Sequence, residues 1–255
     1  MDGTLLRGDD TVSADTVAEL ERWRAENVPV VLATGRPPRW MSRIREQLRY
    51  GTAVCCNGAV LLDLESFSIL DEDALGTDVL REVTAELRRL QPDTWFAVEY
   101  GLEFRHEPIY RPRWDADAPG VSVATLDEMV SVPVAKLLAR HESLPRDDFM
   151  ALVERVAGAR ATVTNSSAEA LAEISAPGVT KASGLAKITA RQGVGPEDVV
   201  VFGDMPNDIA AFEWVRAAGG RAVAMAHAHP DLLAVATDVT GTNEEDGVAA
   251  FLASL

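Results

Sequence analysis

The sequence predicts a doubly wound, mainly parallel α/β domain interrupted by an α+β insert, and three observations carry that expectation. The runs Val30-Val31-Leu32-Ala33, Ala53-Val54-Cys55-Cys56 and Val199-Val200-Val201-Phe202 are short and apolar throughout, as strands covered on both faces are. They stop at Thr34-Gly35-Arg36-Pro37, Asn57-Gly58 and Gly203-Asp204, so polar or glycine residues gather at strand ends, where an open α/β sheet keeps its ligand crevice. Between the second and third runs the rhythm changes to mixed short strands and helices, the mark of an insert.

Composition sets the outer limits. A chain of 255 residues, 47% hydrophobic, can furnish one large domain or two modest ones. With 24 Lys+Arg against 40 Asp+Glu the net charge is −16, which opposes binding to nucleic acid or an anionic membrane. An anionic substrate then needs a local positive island or a metal. No apolar run approaches the roughly 20 residues of a membrane span and no basic-then-apolar leader opens the chain, so a cytoplasmic location is expected. Cys55 and Cys56 are adjacent; on a strand they point to opposite faces and form no ordinary disulfide, which leaves buried reduced thiols.

Taken in order, Ser13 is a plausible N-cap for a helix with Val17, Leu20 and Trp23 on one face. Pro29 introduces the first strand, and a helix containing Trp40, Ile44 and Leu48 leads to the second. Leu61-Leu62 and Ser68-Ile69-Leu70 suggest a hairpin, followed by a charged helix over 78–90, strands over 95–104, an irregular stretch over 108–119 and a strand over 132–138. Phe149, Leu152 and Val156 mark an amphipathic helix, with strands over 161–164 and 171–174. The α/β rhythm returns with a helix from Lys181 to about Arg191, the strand over 199–202, a helix with Ile209, Phe212 and Val215, strands at 222–225 and near Val239, and a closing helix over 244–252. The expected division is a core of 1–70 and 178–255 around an insert of 71–177.

Four separated features fall at strand ends or helix starts: Asp2-Gly3-Thr4-Leu5, Thr34-Gly35-Arg36, Lys181, and Gly203-Asp204 with Asn207-Asp208. In order and type they resemble the four motifs of the haloacid dehalogenase (HAD) superfamily. Ala33-Thr34-Gly35-Arg36-Pro37, Asn57-Gly58, Glu173-Ile174-Ser175 with Gly178-Val179-Thr180-Lys181, and Glu245-Asp246-Gly247-Val248 are similar to its Cof-type branch (subfamily IIB), which carries a large α/β cap. The resemblance implies a Rossmann-like core and a Mg²⁺-dependent phosphatase of a small phosphorylated metabolite, a sugar phosphate or similar, working through an aspartyl phosphate. A silent protein of the same fold that binds a phosphorylated ligand or partner, and a phosphomutase, are the alternatives.

Residue by residue, the resemblance makes Asp2 the general acid/base, since it matches the second Asp of Asp-x-Asp-Gly-Thr-Leu. The nucleophile then belongs directly before Met1, and a chain starting at Met1 is expected to be inactive. Mg²⁺ takes hard oxygen ligands, here expected from the Asp2 carbonyl, Asp204 and, at one remove, Asp208. Thr34, the Gly35 amide, Asn57, Asn207 and Lys181 are the expected phosphate partners, with Thr34 and Lys181 also stabilising charge in the reaction. Arg105, His106, Tyr110, Arg111 and Arg113 of the insert have the chemistry to meet an anionic or sugar-like substrate, though such residues are more often plain surface. Nothing in the sequence fixes the oligomeric state.

Overall fold

In the computed structural model, which describes residues 1–110, 112, 117–165 and 169–255, the chain divides into two units. One comprises Met1–Arg36, Trp40–Leu70 and Thr180–Leu255, and the other Pro37–Arg39 and Asp71–Val179. Arg111 and Arg113 lie outside the described residues.

The first unit starts with helix α1 (Ala14–Ala25), whose Ser13 side chain accepts from the Thr16 amide at 3.0 Å, the N-cap the sequence predicts. Strand β1 (Val31–Ala33) follows, then helix α2 (Ser42–Gln47), strand β2 (Thr52–Cys55), strand β3 (Val60–Asp63) and strand β4 (Ser68–Glu72), whose last two residues already belong to the second unit. These strands form one sheet in the order β1-β2-β3-β4. β1 and β2 run parallel, with Leu32 opposite Ala53, whereas β2 and β3 form an antiparallel hairpin. Cys56 departs from expectation. β2 ends at Cys55, and Cys56 and Asn57 adopt left-handed backbone angles of +51° and +55°, turning the chain so that Cys56 leaves the strand. Both thiols are buried and free.

The second unit is built on helix α3 (Thr77–Leu90), strands β5 (Trp95–Tyr100), β6 (Glu103–His106) and β7 (Val121–Val123), helix α4 (Leu126–Met129), strand β8 (Lys136–Arg140), helix α5 (Arg146–Ala157) and strands β9 (Thr162–Thr164) and β10 (Leu171–Ser175). Its six strands lie in the order β7-β6-β5-β8-β10-β9. Phe96, Val98, Leu137, Ala139, Ala172 and Ile174 alternate onto one face and pack with Leu80, Val83, Leu87, Phe149 and Val153 from α3 and α5. The strand expected over 132–138 begins at Lys136, because Pro133 has no amide to give a ladder; Val134 forms an isolated bridge with Leu75 instead.

The chain then re-enters the first unit with helix α6 (Lys181–Gln192), strand β11 (Val200–Gly203), helix α7 (Ile209–Ala217), strand β12 (Arg221–Met225), helix α8 (Pro230–Leu233), strand β13 (Asp238–Thr240) and helix α9 (Gly247–Leu252). β11, β12 and β13 are all parallel, with Phe202 opposite Val223 and Ala224 opposite Val239. The closing helix starts later than expected, because Asp246 takes a left-handed φ of +54° and cuts the short turn at Asn243–Glu245 from α9. Leu185 and Ile188 of α6 and Phe212 and Val215 of α7 join Val54, Leu61, Val201, Ala222 and Ala224 in one core. Each of the Val, Leu, Ile and Phe side chains removed from water contributes about 1.5–3 kcal/mol. That core fixes the start of α6 against the ends of β2 and β11.

The closest backbone approach in this region is at Gly58. Its φ is +117° and a Cβ there would lie 2.0 Å from the Thr180 carbonyl oxygen. Gly58→Ala combines a disfavoured φ with a clash against backbone, so it should cost about 2–4 kcal/mol. Urea denaturation measures this; a loss under about 1 kcal/mol would mean the loop and the start of α6 part without strain.

Candidate active site

β11 runs out at Gly203, and the next five residues make a tight turn into α7 that places two carboxylates within four positions. Asp208, 4% exposed, is fully engaged: its Oδ2 accepts the amides of Asp204 and Met205, each at 3.2 Å, and its Oδ1 accepts from Lys181 Nζ at 2.6 Å. Gly203 permits this, since a Cβ there would sit 2.7 Å from the Asp208 carboxyl carbon. Lys181, the first residue of α6 and 4% exposed, is therefore no solvated surface lysine; its ammonium reaches across to the β11 turn.

The other carboxylate has different company. Met1 closes a turn by accepting the amides of Leu5 at 2.9 Å and Leu6 at 3.0 Å, which aims the Thr4 hydroxyl at Asp204 Oδ1, 2.7 Å away. Gly3, at φ +64°, lies so close that a Cβ would come within 2.4 Å of Asp204 Oδ2. The Asp204 carbonyl accepts from the His229 amide at 2.8 Å, tying the turn to the loop after β12.

The two loops after β1 and β2 close on each other. The amides of Asn57 and Cys56 donate to the carbonyls of Thr34 and Arg36, each at 3.0 Å, and the buried Thr34 hydroxyl accepts from the Arg36 amide at 3.0 Å. Asn207 Nδ2 donates to Asn57 Oδ1 at 3.1 Å, so the β11 turn is tied to the same loops. Asp2 is half exposed, and its carboxylate takes two hydrogen bonds from Arg36, one of them from Nε at 3.1 Å. Arg36 also reaches Asp10 at 2.6 Å.

The expected residues of the core form two linked groups that the chain joins at Asn207 and Asp208: Thr34, Gly35, Asn57 and Asn207 meet by hydrogen bonds or close packing, and Lys181 and Asp204 are each bonded to Asp208. Asp2 connects to the set through Arg36. Both oxygens of Asp208 accept hydrogen bonds, so it is the partner of Lys181 and the brace of the turn. Sequence reasoning gave no role to Thr4, Gly3 or Arg36, although all three stand inside the motifs that it singled out. Of the insert residues, Arg105 pairs with Glu103 at 3.2 Å, His106 Nδ1 lies 2.8 Å from the Glu107 carbonyl and Tyr110 is buried against Phe104 and His106.

Electrostatics separates the two aspartates of the turn. Burial alone would raise Asp208, but the attraction of Lys181 overrides it and holds the carboxyl below its ordinary value. Burial also raises Asp204, and there it wins: the Thr4 hydroxyl and the more distant charges only partly offset it, so the carboxyl lies above its ordinary value. A buried carboxylate held by a single neutral hydroxyl gains from a nearby cation. Asn207 Oδ1, buried and without a hydrogen-bond partner, is a second hard oxygen in the same turn. Hard oxygens of this kind suit Mg²⁺, which needs few protein ligands because it keeps its waters. Among the described residues no cluster of three or more His, Cys, Asp or Glu side chains forms a complete metal cage. No described helix is long and apolar enough to cross a membrane.

Comparison with known proteins gives the family and the fold. A family profile described as haloacid dehalogenase-like hydrolase matches residues 1–252. The chain is 29% identical to the 5-amino-6-(5-phospho-D-ribitylamino)uracil phosphatase YitU of Bacillus subtilis (strain 168), over 99% of this chain and 94% of that protein. It is 27% identical to the pyridoxal phosphate phosphatase YbhA of Escherichia coli (strain K12), over 100% of this chain and 96% of that one. A solved structure described as a HAD subclass IIB sugar phosphatase shares the fold, with a TM-score of 0.82 at 18% identity over 100% of this chain and 96% of the other.

The Lys181–Asp208 pair generates a stability prediction. Removing one partner of a buried pair strands the other charge, so Lys181→Met should cost about 3–5 kcal/mol. Adding Asp208→Asn should recover much of that loss, because the amide oxygen still accepts from the turn while the stranded charge is gone. Denaturant titration of the two variants checks this. Asp208 has a depressed folded value, so its contribution is present above the ordinary carboxylate value of 3.8 and is lost as pH falls through the lower folded one.

Proposed function

Since the chain belongs to the haloacid dehalogenase-like hydrolase family, we propose that it is a Mg²⁺-dependent phosphatase of small phosphorylated metabolites. The observation that carries the reading is the buried constellation of Lys181, Asp208, Asp204 and Thr4, drawn from three separate parts of the chain. A structural core gains little from two buried carboxylates and a buried ammonium. A site that must neutralise a phosphoryl group gains much. The named relatives are phosphatases acting on a ribitylaminouracil phosphate and on pyridoxal phosphate, which supports a phosphate monoester carried on a polar small molecule.

The nucleophile in this proposal is a carboxylate on the residue that the motif places directly before Met1. Met1 supports that placement, because its nitrogen lies 3.4 Å from the Ala33 carbonyl and so enters the site beside Thr34. The carboxylate attacks phosphorus, the bond to the leaving oxygen breaks, and Asp2 gives that oxygen a proton; Asp2 then takes a proton from the water that hydrolyses the acyl phosphate. For Asp2 to act, Arg36 must yield one of its two hydrogen bonds. The Thr34 hydroxyl and the Gly35 amide receive phosphoryl oxygens at the end of β1. Lys181, held by Asp208, presents its charge at a fixed place. Bound Mg²⁺, held by Asp204 and the Asp2 carbonyl, would supply further neutralisation of the phosphoryl oxygens.

A panel of phosphorylated metabolites, assayed for free phosphate with Mg²⁺ on this chain and on one extended upstream through an apolar strand ending in Asp, tests the reading. Turnover is expected from the extended chain, with Asp204→Ala and Asp2→Asn each lowering it by several orders of magnitude, on the order of 10³-fold or more. Equal turnover by both chains would remove the proposed nucleophile. Isomerised phosphoester without free phosphate would indicate a mutase, and ligand binding without turnover a silent binder.

A further inference from the structure

The C-terminal stretch Glu245-Asp246-Gly247-Val248 belongs to the pattern read in the sequence, yet the proposed reaction gives it no task. In the structure its turn is bonded to three consecutive residues near the start of the chain. Asn243 Nδ2 donates to the Leu6 carbonyl at 2.8 Å, Arg7 Nη2 donates to Asp246 Oδ2 at 2.8 Å, and the Gly8 amide donates to Glu244 Oε1 at 2.7 Å. The turn is shaped by contacts of its own. The Thr242 amide and hydroxyl donate to Glu245 Oε2 at 3.1 and 2.9 Å, the Thr240 hydroxyl donates to the Gly247 carbonyl at 2.7 Å, and a Cβ on Gly247 would stand 2.4 Å from the Gly241 carbonyl oxygen. None of these involves the N-terminal segment, which meets a turn already formed.

Leu6, Arg7 and Gly8 stand between two parts of the candidate site. Upstream is the turn over 1–6 that carries Asp2; downstream, the Arg7 amide donates to the Thr11 carbonyl at 2.9 Å and the Asp10 amide to the Arg7 carbonyl at 3.0 Å, closing a tight bend that presents Asp10 to Arg36. Arg36 bonds to both carboxylates, Asp2 and Asp10. We infer that Asn243, Glu244, Asp246 and Arg7 are positioning residues: the turn over 243–246 fixes Leu6, Arg7 and Gly8, and so sets where Asp2 and Asp10 meet Arg36. Stability alone does not account for these ties. The Arg7 and Asp246 side chains are 36% and 20% exposed and the bond between Gly8 and Glu244 is exposed, so such contacts contribute little to folding. Arg7 Nε is moreover buried without a hydrogen-bond partner among the described residues, a cost that a purely stabilising pair would avoid. Position is another matter, because a misplacement of about 1 Å can lower a rate about 100-fold. The inference rests on the phosphatase reading for the role of Asp2 and goes beyond it in giving the C-terminal turn a task.

The test follows the Arg36 Nε–H of the full chain by NMR, the signal being assigned by its loss in Arg36→Lys. Bonded to Asp2 at 3.1 Å, that proton should exchange slowly with water in the parent. Arg7→Met keeps the backbone of the bend and deletes the tie to Asp246; exchange should quicken about tenfold while the urea midpoint stays close to the parent's. Glu244→Ala should act in the same direction. Asp246→Asn tolerates the φ of +54° and keeps an acceptor oxygen for Arg7, so it should stay within about twofold of the parent. Parent-like exchange in Arg7→Met and Glu244→Ala, loss of protection in Asp246→Asn, a fast-exchanging Arg36 in the parent, or a fall in stability large enough to account for the faster exchange would each overturn the inference. If Arg7→Met does not fold, Glu244→Ala decides by the same criteria. In the chain extended upstream, Arg7→Met should lower kcat about tenfold or more and leave KM within about twofold. Parent-like kcat there overturns the positioning role, whereas no turnover by the extended parent defeats the phosphatase reading and leaves the exchange of Arg36 to decide whether the turn aligns Asp2.

Discussion

The ion pair between Lys181 and Asp208 is the constraint on which the rest of the site depends. It joins the first residue of one helix to the turn before another, 27 positions away, and both side chains are almost wholly out of water. A lysine at a helix N-terminus faces the positive end of the dipole, so this placement is disfavoured unless a carboxylate compensates. Asp208 compensates, and its second oxygen gathers the amides of Asp204 and Met205. One carboxylate thus anchors a cation and shapes the turn that presents the other carboxylate. Gly203 is bare because this arrangement leaves no room for a side chain.

The same turn shows how two identical residues acquire different chemistry. Asp208 has a full charge partner and stays ionised; Asp204 has a hydroxyl and stays expensive to ionise. That cost is borne by the folded state, and on the proposed reading a bound cation would offset it, which is the usual relation between a functional site and the stability of the scaffold around it. Thr4 and Gly3 keep Asp204 in place without neutralising it, the one by a hydrogen bond and the other by the absence of a side chain.

Much of this was legible in the sequence, for a physical reason. Buried parallel strands are apolar along their whole length, and their ends must turn, so β1, β2 and β11 and the polar residues after them stand out as pattern. Lys181 stood out by its place at a helix start within the motif pattern. What escaped were contacts between segments distant in sequence. Thr4 meets Asp204 across 200 positions and Asn207 meets Asn57 across 150, and neither threonine nor asparagine advertises a partner by type. Arg36 escaped for the opposite reason, because an arginine after a strand is ordinary and its link to Asp2 and Asp10 depends on how the first turn folds. The left-handed residues Cys56 and Asp246 were equally hidden, since neither is a glycine.

On the proposed reading, charge within the site decides how a protein with a net charge of −16 would receive a phosphate. Asp2, Asp10, Asp204 and Asp208 face Lys181 and Arg36, so the side chains of this network carry a formal charge of −2 when all are ionised. A phosphate dianion approaching that set meets repulsion, and Lys181 alone cannot reverse it because Asp208 already balances its charge. A divalent cation brings the sum to zero and places the added charge beside Asp204, the one member without a cationic side-chain partner at hydrogen-bond distance. A cation and a phosphate bound there would favour one another's binding, and by linkage the preference would be mutual. On the proposed reading the acidity of the site therefore acts as a filter: phosphate esters are repelled by the bare network and held where a cation has neutralised it.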